Sequence, residues 1–469
     1  MSNCCCAKPL FDEASQLAQA IAAAHLYPDQ DDVAPFRVAA EPFALDKETM
    51  EAIRDLGPAL FHFNSAVQDL YFESKEGRQP AWVQAYLDMG KPDLVKDYAR
   101  MRRFRQDVPR IIRPDLILTD NGFSATELDS VPGGFGLTAC LSKLYEDRGT
   151  PVVGGAQGIL TEFMNMIKDA SGMDRPTTAI VVSDEAVDYL GEMQWLASGL
   201  REQGYDVETI HPKDIEFQED GLYMGVGQNH RRIHAVYRFF ELFDLKNIPK
   251  IDLILYAVRK QLAVITPPIK HIFEEKLLFG LFHHPQLQPY WQKQLGTRFY
   301  ELLQRVFPES WIVDNRPLPP HGVIPGLEIG GVPVSNWSQL FAASKKERQL
   351  VLKISGFSPN AWGSRGVTIG HDVNGQQWQD ALEEALESFD HGSPFVLQRF
   401  RKGKKVSTNY YEETTGEVQS MQGRVRLCPY YFVSGDEVTL GGILATICPL
   451  NKKLIHGMSD AVMVPVAQD

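Results

Sequence analysis

Apolar residues in the first hundred positions recur with a helical period. Between Phe11 and Arg105 they stand at i, i+3 and i+4, with mostly polar or charged residues between them. This spacing places the apolar side chains on one face of a helix. Two such runs are Ala14-Leu17-Ala18-Ile21 and Met50-Ile53-Leu56. The pattern predicts a mostly helical opening segment, residues 1–105.

The period changes to two near Arg113. Apolar and polar positions alternate up to the turn sequence Asp-Asn-Gly at 120–122. Alternation that ends at such a turn predicts a β-hairpin. If Gly122 is the left-handed third residue of the loop, Thr119 pairs with Phe123.

The same register brings three carboxylates to one face of the hairpin. Asp115 should stand opposite Glu127, and Asp129 shares their face because side chains alternate along a strand. Like charges this close repel one another unless a cation or a basic side chain neutralises them. An all-oxygen set suits a hard cation such as Mg²⁺. The alternative is a solvated hairpin face, and the pattern alone leaves both open.

A β-α-β pattern follows the hairpin. Apolar runs of strand length flank a helical run at 189–200, which predicts a small parallel α/β domain at 175–270. The runs that we interpret as strands or buried segments are 177–182, 205–210, 235–240 and 251–255.

The pattern of predicted elements changes after Pro267. The pattern predicts helices at 272–281 and 290–306, a linker rich in Pro and Gly at 317–325, and strands with turn signals between them from Leu350 to Val466.

A glycine-rich hairpin opens this last region. Lys353 ends an apolar strand, and the loop that follows contains Gly356, Gly363 and Gly366 before a second strand. Backbone amides in such a loop can hold phosphates, with Lys353 and Arg365 supplying charge. A purely structural loop is the alternative.

Two basic groups follow. Residues 399–405 contain five lysines and arginines, which either attract an acidic ligand or form a solvated loop. Arg424 and Arg426 alternate along one strand and so share a face.

Composition limits the class of protein. The 469 residues are 44% hydrophobic, which is typical of a globular protein. The net charge of -13 argues against nucleic acid or an anionic membrane surface as a partner. We find neither an apolar run of membrane-spanning length nor a signal peptide, so we expect a cytoplasmic protein. The triplet Cys4-Cys5-Cys6 is expected to lie in a disordered tail.

The order of these parts resembles the circularly permuted ATP-grasp family, which includes glutathionylspermidine synthase and related amide-forming ligases. Arg113-Pro114-Asp115 and Glu127-Leu128-Asp129 are similar to the family's Arg-x-Asp and Glu-x-Asn motifs, with Asp129 in place of Asn. Glu275-Lys276 resembles its Asn-Lys pair, and Tyr237-Arg238 resembles its Tyr-Arg-Arg strand. The resemblance covers residues 105–469.

The resemblance implies a mixed α/β fold of the permuted ATP-grasp type, with ATP and Mg²⁺ as cofactors. It implies a metal-binding hairpin at 106–174, a small α/β domain at 175–270 and a nucleotide-clamping lobe at 271–469. The helical segment at 1–105, predicted from its periodicity, precedes these three parts. Asp115, Glu127 and Asp129 would hold Mg²⁺, and Arg113 and Arg426 would act near the transferring group. The implied nucleotide-binding residues are Lys276, Lys353, Gly356, Gly363, Ser364, Arg365, Gly366, Gln398 and Phe400.

The expected activity is an ATP-dependent C–N ligase. ATP would phosphorylate a small-molecule carboxylate, and a small-molecule amine would then attack the acyl phosphate to give an amide. Two alternatives stay open: a phosphotransferase on the same scaffold, and a non-catalytic nucleotide-binding regulatory protein.

Overall fold

The structure is a computed structural model, and it describes residues 7–27, 35–319, 321–361, 366–452, 455, 457 and 459–468. Within this part of the chain the α-helices are α1 Ala7–Ala23, α2 Lys47–Lys75, α3 Ala81–Asp88, α4 Asp93–Ala99, α5 Phe135–Glu146, α6 Gly158–Ser171, α7 Leu190–Glu202, α8 Ile251–Arg259, α9 Leu277–His283, α10 Gln288–Val306 and α11 Gly375–Asp390.

The strands are, in chain order, β1 Ile111–Thr119, β2 Gly122–Asp129, β3 Thr178–Val182, β4 Val207–Ile210, β5 Glu216–Gln218, β6 Gly221–Met224, β7 Arg231–Ile233, β8 Ala235–Phe239, β9 Val264–Thr266, β10 Ser310–Val313, β11 Glu328–Ile329, β12 Val332–Pro333, β13 Leu350–Ile354, β14 Val367–Ile369, β15 Phe395–Arg399, β16 Lys405–Glu412, β17 Glu417–Ser434, β18 Glu437–Pro449 and β19 Val462–Pro465.

The helical opening packs directly on the central sheet. The predicted helices are confirmed as α1 to α4, and α2 begins at an N-cap where Asp46 accepts the Thr49 amide at 2.8 Å. The apolar face of α2 is buried, and a Cβ at Gly57 would stand 2.5 Å from the ring of Tyr431 on β17. Glycine at this position therefore lets the helix approach the sheet, and the two share one core.

The central sheet joins distant parts of the chain. Its order is β19-β18-β17-β1-β2, with β16 paired to β17, and all of its pairs are antiparallel. In the β1–β17 pair, Ile117 stands opposite Arg426. The carboxylate hairpin and the arginine strand are therefore neighbours in the fold.

The hairpin itself differs from the prediction in its loop. Thr119 pairs with Gly122, so the pairing of Thr119 with Phe123 was wrong, and the loop has two residues. A β-bulge just after Asp115 then shifts the register by one residue. The bulge restores Asp115 opposite Glu127, so that part of the prediction is confirmed.

The parallel sheet has the order β4-β3-β8-β9. Three predicted strands are confirmed, but the run at 251–255 belongs to helix α8, and the last strand is β9. Ile251, Ile254 and Val258 are buried, whereas Leu253 and Tyr256 are about 40% exposed. This spacing is helical, and a five-residue segment with four apolar residues is too short to distinguish a strand from a buried helix.

The remaining large sheet, β10-β15-β13-β14, is antiparallel. Helix α11 covers it with a buried stripe that includes Trp378, Leu382 and Ala385, and begins at a capping box formed by Asn374 and Gln377. The predicted strand, helix and strand order is confirmed. The helix expected at 272–281 begins later, since residues 271–273 form a 3-10 turn and α9 begins at Leu277.

Among the described residues, none of the helices combines the length and apolarity needed to cross a membrane. Cys140, Cys428 and Cys448 are buried and are not joined in disulfides, and the triplet at 4–6 lies outside the described residues.

Candidate functional site

A cavity of about 580 Å³ lies between the central sheet and the β13–β15 sheet. Its volume is typical of a small-molecule site. The hairpin β1–β2, strand β17, the start of α9, and the strands β13 and β15 all contribute to its wall. Seven of the predicted site residues line it: Asp115, Glu127, Lys276, Lys353, Gln398, Phe400 and Arg426.

The other predicted residues lie elsewhere. Arg113 does not line the cavity but contacts Asp115, which does, and Asp129 in turn contacts Arg113. Gly356 and Gly366 lie at the base of the glycine-rich loop without lining the cavity. Gly363, Ser364 and Arg365 lie outside the described residues.

The cavity wall is strongly basic although the whole chain carries a charge of -13. Among the described residues that line it, eight are lysine or arginine and three are acidic. The basic set is Lys276, Lys353, Arg399, Arg401, Lys402, Arg424, Arg426 and Lys452, and the acidic set is Asp115, Glu127 and Asp372. This imbalance attracts an anionic ligand.

Asp115 is held by two arginines. Its Oδ1 lies 3.2 Å from Arg113 Nη2, and its Oδ2 accepts a hydrogen bond from Arg426 Nη1 at 2.9 Å. Burial alone would raise the pKa of Asp115, but the two guanidinium groups outweigh burial and hold this pKa below its ordinary value. Asp115 is therefore an anion in the site, and it fixes Arg426 at the cavity wall.

Asp129 contacts Arg113 as well. Its Oδ2 lies 3.0 Å from Arg113 Nη2, and its Oδ1 accepts the Val131 amide at 2.9 Å. Burial raises the pKa of Asp129; Arg113 opposes the rise and Glu127 adds to it. Arg113 thus offsets the repulsion between Asp115 and Asp129, and a basic side chain is one of the two kinds of partner that the sequence analysis expected.

Lys276 connects the hairpin to the glycine-rich loop. Its Nζ lies 2.7 Å from Glu127 Oε1 and donates a hydrogen bond to the carbonyl of Ala361 at 2.6 Å. Lys276 precedes α9 directly, so the start of that helix sets its position. Glu127 is the most exposed of the three hairpin carboxylates, at 36%.

Lys353 is buried at the end of β13. Its ammonium group donates to the Thr126 carbonyl at 2.7 Å and to Gln398 Oε1 at 2.9 Å. The pKa of Lys353 is lowered to about 8, mainly by burial; the charge of Glu127 opposes this drop and that of Lys276 adds to it. A lysine held in this way is a preformed cation whose charge is poorly solvated until an anion binds.

The hairpin carboxylates meet the coordination preferences of Mg²⁺ in part. In the described part of the chain, no group of three or more His, Cys, Asp or Glu side chains has the geometry of a metal site. Mg²⁺ characteristically takes only one or two protein carboxylates and completes its shell with water and phosphate oxygens. Glu127 and Asp115, both on the cavity wall, fit that smaller set, and Asp129 as a third ligand stays a prediction.

The far end of the cavity has an aromatic wall. The rings of His371 and Phe400 meet edge to face, with 4.5 Å between centroids, and the Phe400 amide donates to the Gln349 carbonyl at 3.0 Å. Val367 and Ile369 complete an apolar surface there. This end can accept a flat apolar group.

Sequence reasoning missed several lining residues. His371 and Asp372 follow β14, and Asn451 and Lys452 follow β18. Their only signal in the sequence is a polar group directly after a strand, which many surface loops share.

Comparisons with known proteins give the fold. The sequence matches no protein-family model and no curated protein. The structure is similar to that of a glutathione synthetase-like effector from Globodera pallida in its apo form, with a TM-score of 0.58, 11% identity, and coverage of 98% of this chain and 97% of that one. At this identity the likeness shows a shared mixed α/β fold.

A putative gamma-glutamylcysteine synthetase from Methylobacillus flagellatus is a second similar structure. It has a TM-score of 0.43 and 10% identity, and the match covers 83% of this chain and 87% of that one. A score this low carries no argument about the fold.

Proposed function

We propose that the protein is an ATP-dependent carboxylate–amine ligase that forms an amide through an acyl phosphate and releases ADP and phosphate. The observation that carries the proposal is the cationic cavity, in which Lys276 and Lys353 stand beside Asp115 and Glu127 between two sheets. Two fixed lysines next to two carboxylates suit a nucleoside triphosphate with its divalent cation.

The fold supports this proposal. The neighbour with the higher similarity is described as a glutathione synthetase-like effector, and a synthetase-like neighbour is consistent with an amide-forming ligase. The order of the chain, with the carboxylate hairpin before the lysine strand and glycine-rich loop, supports a circularly permuted ATP-grasp arrangement. In this structure the early hairpin and the late β17 are adjacent strands, as such an arrangement requires.

The nucleotide would occupy the cavity from one end to the other. The base would lie at the aromatic end beside Phe400 and His371, and the phosphates would extend toward Lys353 and Lys276. Lys353 would keep its proton on meeting the phosphates, because their charge replaces the solvation that burial removes. Lys276 would exchange its contact with Glu127 for a phosphate oxygen.

Glu127 and Asp115 would hold Mg²⁺. Bound there, the ion neutralises charge on the phosphate oxygens. Asp115 also orients Arg426, which faces the cavity and can stabilise the negative charge of the acyl phosphate. Arg113 acts one layer deeper, since it neutralises Asp115 and Asp129 and keeps both carboxylates in place.

The reaction then follows from these positions. An oxygen of the substrate carboxylate attacks the γ-phosphorus, the bond to ADP breaks, and the acyl phosphate forms. An amine next attacks the carbonyl carbon, and phosphate leaves with the bridging oxygen. A cavity enclosed between the two sheets protects the acyl phosphate from water.

The test is a coupled assay of ADP and free phosphate with pools of candidate carboxylates and amines, with mass spectrometry of the products. A ligase releases ADP and phosphate in equal amounts with an amide. ADP without phosphate would indicate a phosphotransferase, and nucleotide binding without turnover under any pool would indicate a regulatory protein. Lys353→Met, which lacks the phosphate-binding charge, is the matched negative control.

A further inference from the structure

A buried ion pair joins the helical opening to the base of the glycine-rich loop. Lys91, in the turn between α3 and α4, contacts Glu275 Oε1, and the two side chains are 1% and 0% exposed. The Lys91 ammonium group also donates to the Met89 carbonyl at 3.0 Å. Charges this deeply buried persist only when each has its partner.

The other oxygen of Glu275 holds the loop. Glu275 Oε2 accepts hydrogen bonds from the Ser355 hydroxyl and, at 3.2 Å, from the Gly356 amide. The Ser355 hydroxyl in turn accepts the Leu277 amide at 3.1 Å, which ties the loop to the first residue of α9. Glu275 is thus the junction between Lys91, the loop and the residue next to it, Lys276.

The backbone at this junction has little freedom. A Cβ at Gly356 would stand 1.8 Å from the carbonyl oxygen of Glu274, so the loop and the α9 segment touch through their main chains. Phe357 has a φ of 60°, in the left-handed region that side chains disfavour. Lys91 Nζ lies 5.7 Å from the centroid of the Phe357 ring. A strained backbone of this kind persists only when its surroundings hold it.

The end of α3 and the turn after it also contact α11, the helix that covers the sheet with the lysine strand. A Cβ at Gly90 would stand 2.2 Å from the carbonyl oxygen of Gly392, just after α11. Tyr86 packs edge to face on Phe389 of α11, with 5.9 Å between ring centroids. The helical opening therefore contacts this lobe at several points, and Lys91 is the one that contacts Glu275, the residue before Lys276.

We propose that Lys91 is a positioning residue of the nucleotide site. Through Glu275 it fixes the first residues of the glycine-rich loop and the start of α9, and so the position of Lys276. Only the expected effect of Lys91 on the affinity for ATP rests on the proposed function. Its effect on the position of the loop does not. This role also explains why residue 275 is Glu where the family that the chain resembles has Asn, because Lys91 supplies the opposite charge.

The first variant is Lys91→Met, which removes the ammonium group and keeps most of the side-chain volume. Glu275 then lacks its partner, and the loop base should loosen. We expect faster hydrogen exchange at residues 354–361, and a Kd for the non-hydrolysable analogue AMP-PNP with Mg²⁺ that rises about tenfold, the equivalent of a weakened charge-assisted hydrogen bond.

Two double variants keep the test decisive if Lys91→Met does not fold. Lys91→Met with Glu275→Gln removes both buried charges but retains an acceptor for Ser355 and Gly356, so exchange and affinity should return close to those of the wild type. Lys91→Met with Glu275→Ala lacks the acceptor and should keep the fast exchange and the weak affinity. Leu200→Ala, a core change in α7 away from the cavity, controls for lost stability and should alter neither readout.

Equal exchange at 354–361 in the two double variants, or a folded Lys91→Met with wild-type exchange, would overturn the proposal. Hydrogen exchange needs no nucleotide, so this result stands whatever the protein binds. If the loop responds as expected but the wild-type protein does not bind AMP-PNP, the positioning role is supported and the proposed function fails.

Discussion

Replacing Lys353 by methionine separates the effect of its buried charge on folding stability from its contribution to ligand binding. The lysine is 8% exposed, and burial lowers its pKa from the ordinary 10.5 to about 8. Since each pH unit of displacement is worth about 1.4 kcal/mol, the charged form costs the folded apo protein about 3 kcal/mol. Lys353→Met removes that cost but leaves the Thr126 carbonyl and Gln398 Oε1 without their donor, which costs roughly 2 kcal/mol.

These opposing terms nearly cancel at pH 7. We therefore expect the free energy of unfolding of the apo variant to lie within about 2 kcal/mol of the wild type. Affinity for Mg-ATP should fall roughly 10- to 100-fold, because a charge-assisted hydrogen bond to phosphate is lost. The change therefore affects ligand binding far more than folding.

The pH dependence gives an independent check. Between about pH 8 and 10.5 the unfolded chain still binds a proton at Lys353 and the folded chain does not, so wild-type stability should gain a contribution that rises with pH. The variant should lack this rise. In the wild type, affinity for Mg-ATP should fall as the pH passes above about 8, whereas the weaker affinity of the variant should not respond there.

The assay combines urea unfolding of the apo proteins with calorimetric titration of Mg-ATP across pH 6–10. Lys143→Met, a change in an exposed pair on α5, is the control for removing a lysine. A folded Lys353→Met with unchanged ATP affinity would refute the reasoning, and so would a loss of stability much larger than the two terms allow.

Three further predictions address the carboxylates. Glu127→Gln should leave the apo melting temperature nearly unchanged, because the pair of Glu127 with Lys276 is partly exposed. If Glu127 holds the metal, the same variant should lower turnover at least about 100-fold. A destabilised yet active enzyme would contradict this. Mg-ATP at 100 times its Kd should stabilise the fold by about 3 kcal/mol, and EDTA should abolish most of that gain in a thermal-shift assay. Burial raises the pKa of Glu192 to about 7, so stability should fall as pH rises from about 4.5 to 7, and Glu192→Gln should flatten that slope in unfolding measurements.

The local parts of the site could be predicted because their signals are local. Alternation and a turn sequence predicted the hairpin, and the register drawn from that turn placed Asp115 opposite Glu127. Loop length was predicted wrongly, because a two-residue loop with a bulge gives the same pairing of these carboxylates as the loop that we expected. The run at 251–255, interpreted as a strand or buried segment, is helical for a related reason, since four apolar residues in five fit either a strand or one turn of a buried helix.

The parts that depend on tertiary structure could not be predicted. Arg113 lies between Asp115 and Asp129, so the charge that balances the carboxylates comes from the motif itself. His371 and Lys452 reach the cavity from separate loops, and no local pattern relates them. The contact between Lys91 and Glu275 joins the opening segment to the lysine motif, and neither residue alone signals the other.

The measurement that tests the central claim most directly follows oxygen from the acid to the phosphate. The protein is incubated with Mg-ATP, a pool of amines and candidate acids labelled with ¹⁸O in both carboxyl oxygens, and the released phosphate is analysed by mass spectrometry. An acyl phosphate intermediate transfers one ¹⁸O to each phosphate released. Phosphate without ¹⁸O, or phosphate retained on the product, would contradict the account.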